Sequence, residues 1–274
     1  MHSIKIIYIV FFFLLFLFSC DNPTNPASII KNNPNDPTNP NFEEPKTSEI
    51  IIPEVNGKVI DSIFTIQWNA NNVCSLFSYK FDNNNWSNWQ TNKFVTNYYL
   101  DDNNYFISVR SMHKNEMIEA TPPSKNFIVD AIRPQSVYFF PRKISLSINT
   151  DFTSEIKVDE LPEVSAFKLI ISYNPLDIEY KKFEVNTDVN NILYKNNGSI
   201  LDVIESDKAG LLIINLVRIG ATPFTSGSGS VGRITWKTKS TFNSQNIFLN
   251  NSSLVTKGIE KINVNLYSQY LEKK

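Results

Sequence analysis

Apolar and polar positions alternate with a period of two through most of the chain, and clusters of Asn, Asp and Pro interrupt the runs. Between residues 50 and 131, Phe64, Ile66 and Trp68 alternate with Thr65 and Gln67, and Phe77, Tyr79 and Phe81 alternate with Ser78 and Lys80. Tyr105, Ile107 and Val109 repeat the pattern, and Phe127 to Val129 closes the block. Such runs are half-buried strands. Short strands set this closely predict a small antiparallel sandwich.

Residues 135 to 268 repeat the pattern over a longer span. In SAFKLIISYNPLDIEY (165 to 180) a strand places Phe167, Leu169, Ile171 and Tyr173 on one face and Ala166, Lys168, Ile170 and Ser172 on the other, then breaks at Asn174-Pro175. Further candidate strands are Val137 to Phe140, Ile144 to Ile148, Ser154 to Val158, Ile178 to Val185, Ile200 to Ile204, Leu211 to Ile219, Gly232 to Thr238, Ile247 to Leu249 and Ile262 to Leu266. Leu211 to Ile219 is nearly all apolar, interrupted only by Asn215 and Arg218, and reads as a central strand covered on both faces. SGSGS at 226 to 230 reads as a loop. No stretch has a helical period. The fold class expected is all-β, two β-sandwich domains, the second a jelly roll by strand count.

Composition narrows the function. Lys plus Arg (26) balances Asp plus Glu (27), which leaves no field to hold a nucleic acid. Of two cysteines, Cys20 ends the leader and Cys74 stands alone, so no internal disulfide is expected in the mature chain. The mature chain would keep one histidine, His113, in a polar MHKNEM turn expected to be solvated. Neither a histidine metal pair nor a serine triad is supported, and no phosphate-binding glycine motif is present. The expectation is a protein that is not an enzyme and needs no cofactor or metal.

Ahead of the strands, Lys5 precedes thirteen apolar residues, Ile6 to Phe18, and the stretch ends Leu17-Phe18-Ser19-Cys20. That run is too short to span a bilayer, where about 20 residues are needed, and fits a signal peptide over 1 to 20. Residues 21 to 49 carry six prolines, five of them in Asn-Pro or Asp-Pro steps, with almost no apolar periodicity. They read as a stiff, disordered tether reaching at most roughly 90 Å at about 3.1 Å per residue. The repeated dipeptides read as low complexity and not as a structural repeat.

Three resemblances follow from these residues. Leu17-Phe18-Ser19-Cys20 resembles a bacterial lipobox, which implies lipidation of Cys20 and a cell-envelope location, exported and anchored to a membrane. The order FSYKFDNNNWSNWQ, YYLDDNNYFISVRS, FIVDAIRP, for a domain over 50 to 131, resembles fibronectin type III-like and triple-tyrosine modules. Residues 135 to 268 resemble a cohesin domain: a strand ends at Tyr173-Asn174-Pro175 where the family has Tyr-Asp-Pro, and a glycine-rich loop precedes Ile234-Thr235-Trp236 where the family has Ile-Thr-Phe. Cohesins are jelly rolls that bind a calcium-loaded dockerin on one sheet face, which aligns here with Ala166, Lys168, Ile170 and Ser172. Ala166 and Lys168 stand where dockerin-binding members often have an amide and a carboxylate. The resemblance implies a lipid-anchored scaffold whose Lys168, Ile170 and Ser172 meet a protein partner, dockerin-like or other, in extracellular polysaccharide breakdown. The alternative is direct carbohydrate binding, with Trp86 and Trp89 as candidate stacking platforms.

Overall fold

A computed structural model describes residues 33–185, 191–197, 199–206, 209–220, 224–256 and 260–274. The leader, Cys20 and the first part of the Asn-Pro segment lie outside the described residues. The strands are β1 (Thr47–Ile51), β2 (Ile63–Ala70), β3 (Cys74–Phe81), β4 (Phe94–Tyr98), β5 (Asn103–His113), β6 (Ser124–Val129), β7 (Ser136–Phe140), β8 (Lys143–Leu146) and β9 (Asp151–Ser172). They continue with β10 (Ile178–Val185), β11 (Ser199–Ser206), β12 (Leu211–Ile219), β13 (Thr225–Thr238), β14 (Gln245–Leu249), β15 (Ser253–Thr256), β16 (Lys261–Ile262), β17 (Asn265–Tyr267) and β18 (Gln269–Lys273). A single 3-10 turn, Ile192–Asn197, is the one helical element among the described residues. The protein is all-β. β1-β2-β4 and β3-β5-β6 form two small sheets, and β7 to β18 form one large curled sheet.

By packing, the chain falls into two compact units. One holds the residues up to Ile50 with Trp68–Lys93 and Ile107–Ser124, and the other holds Ile51–Gln67, Phe94–Phe106 and Lys125–Lys274.

In the first unit, Trp68 is buried against Phe77 and Tyr79, with ring centroids 6.1 and 6.0 Å away. Glu119 is buried too, and its carboxylate accepts from the amides and hydroxyls of both Thr47 and Ser111 at 2.8 to 3.0 Å. Four donors offset the cost of burying that charge. His113, expected in solvent, is 1% exposed: its ring lies 5.1 Å from Phe42 and its Nδ1 accepts the Asn115 amide. It closes β5, so strand geometry turns it inward although polar residues follow it. Cys74 is half-buried and its thiol donates to Asn71 Oδ1.

Phe42 ends a segment whose repeat is structural. In Asn33-Pro34-Asn35, Asp36-Pro37-Thr38 and Asn39-Pro40-Asn41, each Asx side chain accepts the amide two residues on. Each Asx carbonyl also accepts the amide three residues on, from Asp36, Asn39 and Phe42. Proline at the second position presets φ for such a turn. The described part of the segment is therefore three successive turns, tied down by the Asn115 side chain donating to Asn35 O. The expectation of low complexity without structural repeat is corrected here.

The second unit is organised by β9, a 22-residue strand. Two separate strands were expected, because the buried positions change phase: Phe152, Ser154, Ile156 and Val158 are buried, then Leu161 and Val164, then Phe167, Leu169 and Ile171. Glu160, at φ 46°, lies within the change. β13 runs beside this irregular stretch and shifts register three times between Thr225 and Gly232. The Gly-Ser stretch read as a loop is thus part of a strand. Gly227, at φ 98°, takes up a conformation closed to other residues, and Ser228 Oγ donates to Asp159 while accepting the Glu160 amide. The bend changes β9's neighbours. Its first half pairs with β7 and β13, and its second half with β12, β14 and β15.

The inward positions form one core in which Phe167, Leu169, Ile171, Ile214, Leu216 and Ile234 are at most 2% exposed. Trp236, fully buried, packs T-shaped with Tyr173 and Tyr180, ring centroids 5.1 and 5.9 Å away. Arg142 is buried as well, between the rings of Tyr99 and Tyr267, and donates to Leu100 O and Ser62 Oγ.

Candidate functional site

The second half of β9 sets the register of a broad outward face. In antiparallel pairs, residues directly opposite point to the same side. Ala166 lies between Val217 of β12 and Val255 of β15, and Val217 in turn faces Leu201 of β11. The next row is Val203, Asn215, Lys168 and Ser253, and the third is Glu205, Ile213 and Ile170. Ser172 closes the strand, opposite Leu211 and beside Phe248. Lys168, Ile170 and Ser172 therefore share one face, as alternation predicted.

That face is apolar at its β11 and β12 side. Leu201, Val203, Val217 and Ile219 are 57, 51, 40 and 48% exposed. This corrects the expectation that Leu211–Ile219 is covered on both faces. Only Leu212, Ile214, Leu216 and Arg218 point inward and are buried. An unbroken apolar run cannot distinguish a covered face from an open one, and SILDVIES of β11 does not alternate, so the exposure of Leu201, Val203, Val217 and Ile219 was missed. Arg218 belongs to the buried side, where its guanidinium donates to Leu193 O. Lys168 has no acidic partner among the described residues.

Trp86 and Trp89 are arranged differently. Expected on opposite faces of an extended strand, both rings converge on one cation: the Arg110 guanidinium lies 4.3 Å from the Trp86 centroid and 4.7 Å from that of Trp89. Lys80 Nζ adds a third contact, 5.2 Å from Trp86. The backbone of 85–89 is not a paired strand, so the two-residue period does not govern it. Both side chains are half-buried. Cation–π contacts thus already engage the ring surfaces that a sugar would use.

A cleft of ≈ 300 Å³ carries Asp101, Asp102 and Asp159 with Tyr138 and Lys157. Burial pushes the carboxyls of Asp101 and Asp102 up, against the backbone amides that hydrogen-bond them, and pushes the Tyr138 phenol up to about 12. Asp101 accepts from the Arg142 amide, and Asp102 from Ala131 and Ile132. One oxygen of Asp101 and both oxygens of Asp102 accept from backbone amides. Among the described residues, no group of three His, Cys, Asp or Glu side chains is arranged to hold a metal ion.

No family model and no curated protein sequence matches the chain. Solved structures do. A cohesin module from a Clostridium perfringens family 33 glycoside hydrolase is 11% identical, with 47% of this chain and 91% of that one covered at a TM-score of 0.40. A non-cellulosomal cohesin from Archaeoglobus fulgidus is 14% identical over 52% and 92% of the two chains, TM-score 0.40. A type II cohesin domain from the cellulosome of Acetivibrio cellulolyticus is 14% identical over 50% and 95%, TM-score 0.41. About half of this chain is thus similar in structure to cohesin modules, without detectable similarity of sequence.

Proposed function

We propose that this protein is a lipid-anchored binding module of the cell envelope that holds a protein partner on the outward face of β9, β11, β12 and β15. The observation that carries the reading is the patch of half-exposed Leu201, Val203, Val217 and Ile219 on neighbouring β11 and β12, beside Lys168 and Asn215. Contiguous exposed apolar surface with a polar border is the usual mark of a protein interface. Fully burying such a side chain is worth about 1.5 to 3 kcal/mol, so covering four half-exposed ones returns roughly 3 to 6 kcal/mol before the costs of association. Lys168 supplies orientation and favours a carboxylate on the partner. The lipobox-like Cys20 supplies the anchor. The cohesin-like motifs around Tyr173 and Trp236 favour a dockerin-type partner, and the replacement of an amide and a carboxylate by Ala166 and Lys168 favours a specificity of its own.

The test is capture from cell extract on the immobilised full chain, with and without a calcium chelator, beside a Leu201→Asp/Val217→Asp variant of unchanged melting temperature. The reading expects capture to fall at least about tenfold in the variant, equivalent to 1.4 kcal/mol. Loss of capture on chelation identifies a calcium-loaded partner. Equal capture by both proteins refutes the face.

A further inference from the structure

Where β9 runs out into the Asn174-Pro175 turn, a cleft of ≈ 540 Å³ opens, lined by Tyr173, Pro175, Glu179, Tyr180, Ser206 and Lys239. Its volume lies in the range of small-ligand sites, about 300 to 1,000 Å³. Both tyrosine rings pack T-shaped with the buried Trp236 ring, at 65° and 73°, and both remain partly open to solvent. Their orientation is held from behind, so they are fixed aromatic surfaces of the kind on which a pyranose ring stacks. The backbone closes in tightly here. Gly210, at φ 91°, bonds through its carbonyl to the Tyr173 amide, and a Cβ on it would sit 2.1 Å from Tyr173 O.

The polar groups decide which sugar fits. Lys239 Nζ donates to Pro175 O, which positions the ammonium on the wall while two of its three N–H groups remain for a ligand. Glu179 is paired with Lys181 at 2.8 Å, and that bond, with Lys239 and Lys237 nearby, holds its carboxyl below the usual range. Lys181 and Lys237 lie outside the lining, and Lys181 neutralises Glu179, which leaves the Lys239 ammonium as the charge the cleft offers an acidic ligand. A lone point charge on an aromatic-lined wall matches a single carboxylate better than a phosphate, which attracts several donors at once.

We infer that this cleft binds a uronate residue of an acidic polysaccharide, its ring against Tyr173 or Tyr180, its carboxylate on Lys239 and its hydroxyls on Glu179 and Ser206. This site does not depend on the outward face of Lys168. It uses the turn after β9, the start of β10, the end of β11 and Lys239 just beyond β13, and it needs no protein partner.

Calorimetric titration of the full chain with tetragalacturonate, tetraglucuronate and neutral cellotetraose tests it. Sub-millimolar binding of at least one uronate, with cellotetraose at least tenfold weaker, is expected. Lys239→Met should weaken uronate binding at least tenfold, and Lys239→Arg, which keeps the charge, by no more than about threefold. Binding of neither uronate, equal binding of cellotetraose, or undiminished binding by Lys239→Met overturns the inference. Should Lys239→Met fail to fold, ring resonances of Tyr173 and Tyr180 in the unaltered protein decide: they shift on adding the uronate that binds, and unshifted rings overturn the site.

Discussion

Replacing Leu169 with alanine measures how completely β9 separates fold from recognition. Leu169 is 0% exposed and lies opposite Ile214, which is equally buried. Truncation removes three carbons, about 2.4 kcal/mol at roughly 0.8 kcal/mol each. The cavity left behind raises the cost to between about 2.7 and 5 kcal/mol, because neighbours held in a paired sheet relax only in part. One residue earlier, Lys168 is exposed and points the other way, so Lys168→Glu should stay within about 0.5 kcal/mol. Urea unfolding followed by tryptophan fluorescence, with the buried Trp236 as a reporter in the same core, reads both variants. Thermal melting should fall by at least about 5 °C for Leu169→Ala at roughly 2 to 4 °C per kcal/mol. Equal destabilisation by the two variants would refute the assignment, since a one-residue slip exchanges the faces of a strand.

Arg142→Met should cost roughly 1 to 3 kcal/mol in the same assay, because it leaves Leu100 O and Ser62 Oγ without their donor and removes the cation beside half-buried Asp101 and exposed Asp102. Asp101 has a pH signature of the less common sign: burial raises its folded pKa, so its contribution to stability is present below the unfolded value of about 3.9 and is lost as pH rises through the folded one. The stability of the unaltered protein relative to Asp101→Asn should therefore fall as pH is raised from about 4, and a difference that grows with pH would contradict this. Cys20→Ala should leave an unlipidated precursor that keeps its leader, read by its mass and by loss of incorporated labelled fatty acid. Normal mature lipoprotein from that variant would remove the anchor from the account.

Alternation alone located the inward set Phe167, Leu169, Ile171, Ile234 and Trp236 and the outward set Lys168, Ile170 and Ser172. It did not show that two runs were one strand. The buried positions move from even to odd numbers across Asp159 to Ala166, and a bend with irregular pairing looks, in sequence, like two strands with a loop between. The glycines of 227 and 229 reinforced the error on the partner strand, since flexibility in a turn and tolerance of a bulge use the same residue. Periodicity also carries no sign of exposure. Val217 and Leu216 are equally apolar, and only the absence of a covering layer distinguishes them, which is a property of the whole fold. Trp86 and Trp89 depended on Arg110, more than twenty positions away in sequence, and no local spacing announces that contact. The Asx-Pro turns were legible in principle, because the period of three from Asn33 to Asn41 is a run of turn signals.

Chemical footprinting of the full chain, alone and with its captured partner, tests the central claim most directly. A carbene label modifies exposed aliphatic side chains, and Leu201, Val203, Val217 and Ile219 are open on the β11 and β12 side of this face. The account predicts that labelling of these four falls several-fold in the complex, while Leu176, 73% exposed at the turn beyond β9, keeps its label. Unchanged labelling of the four, with protection concentrated elsewhere on the chain, would contradict it.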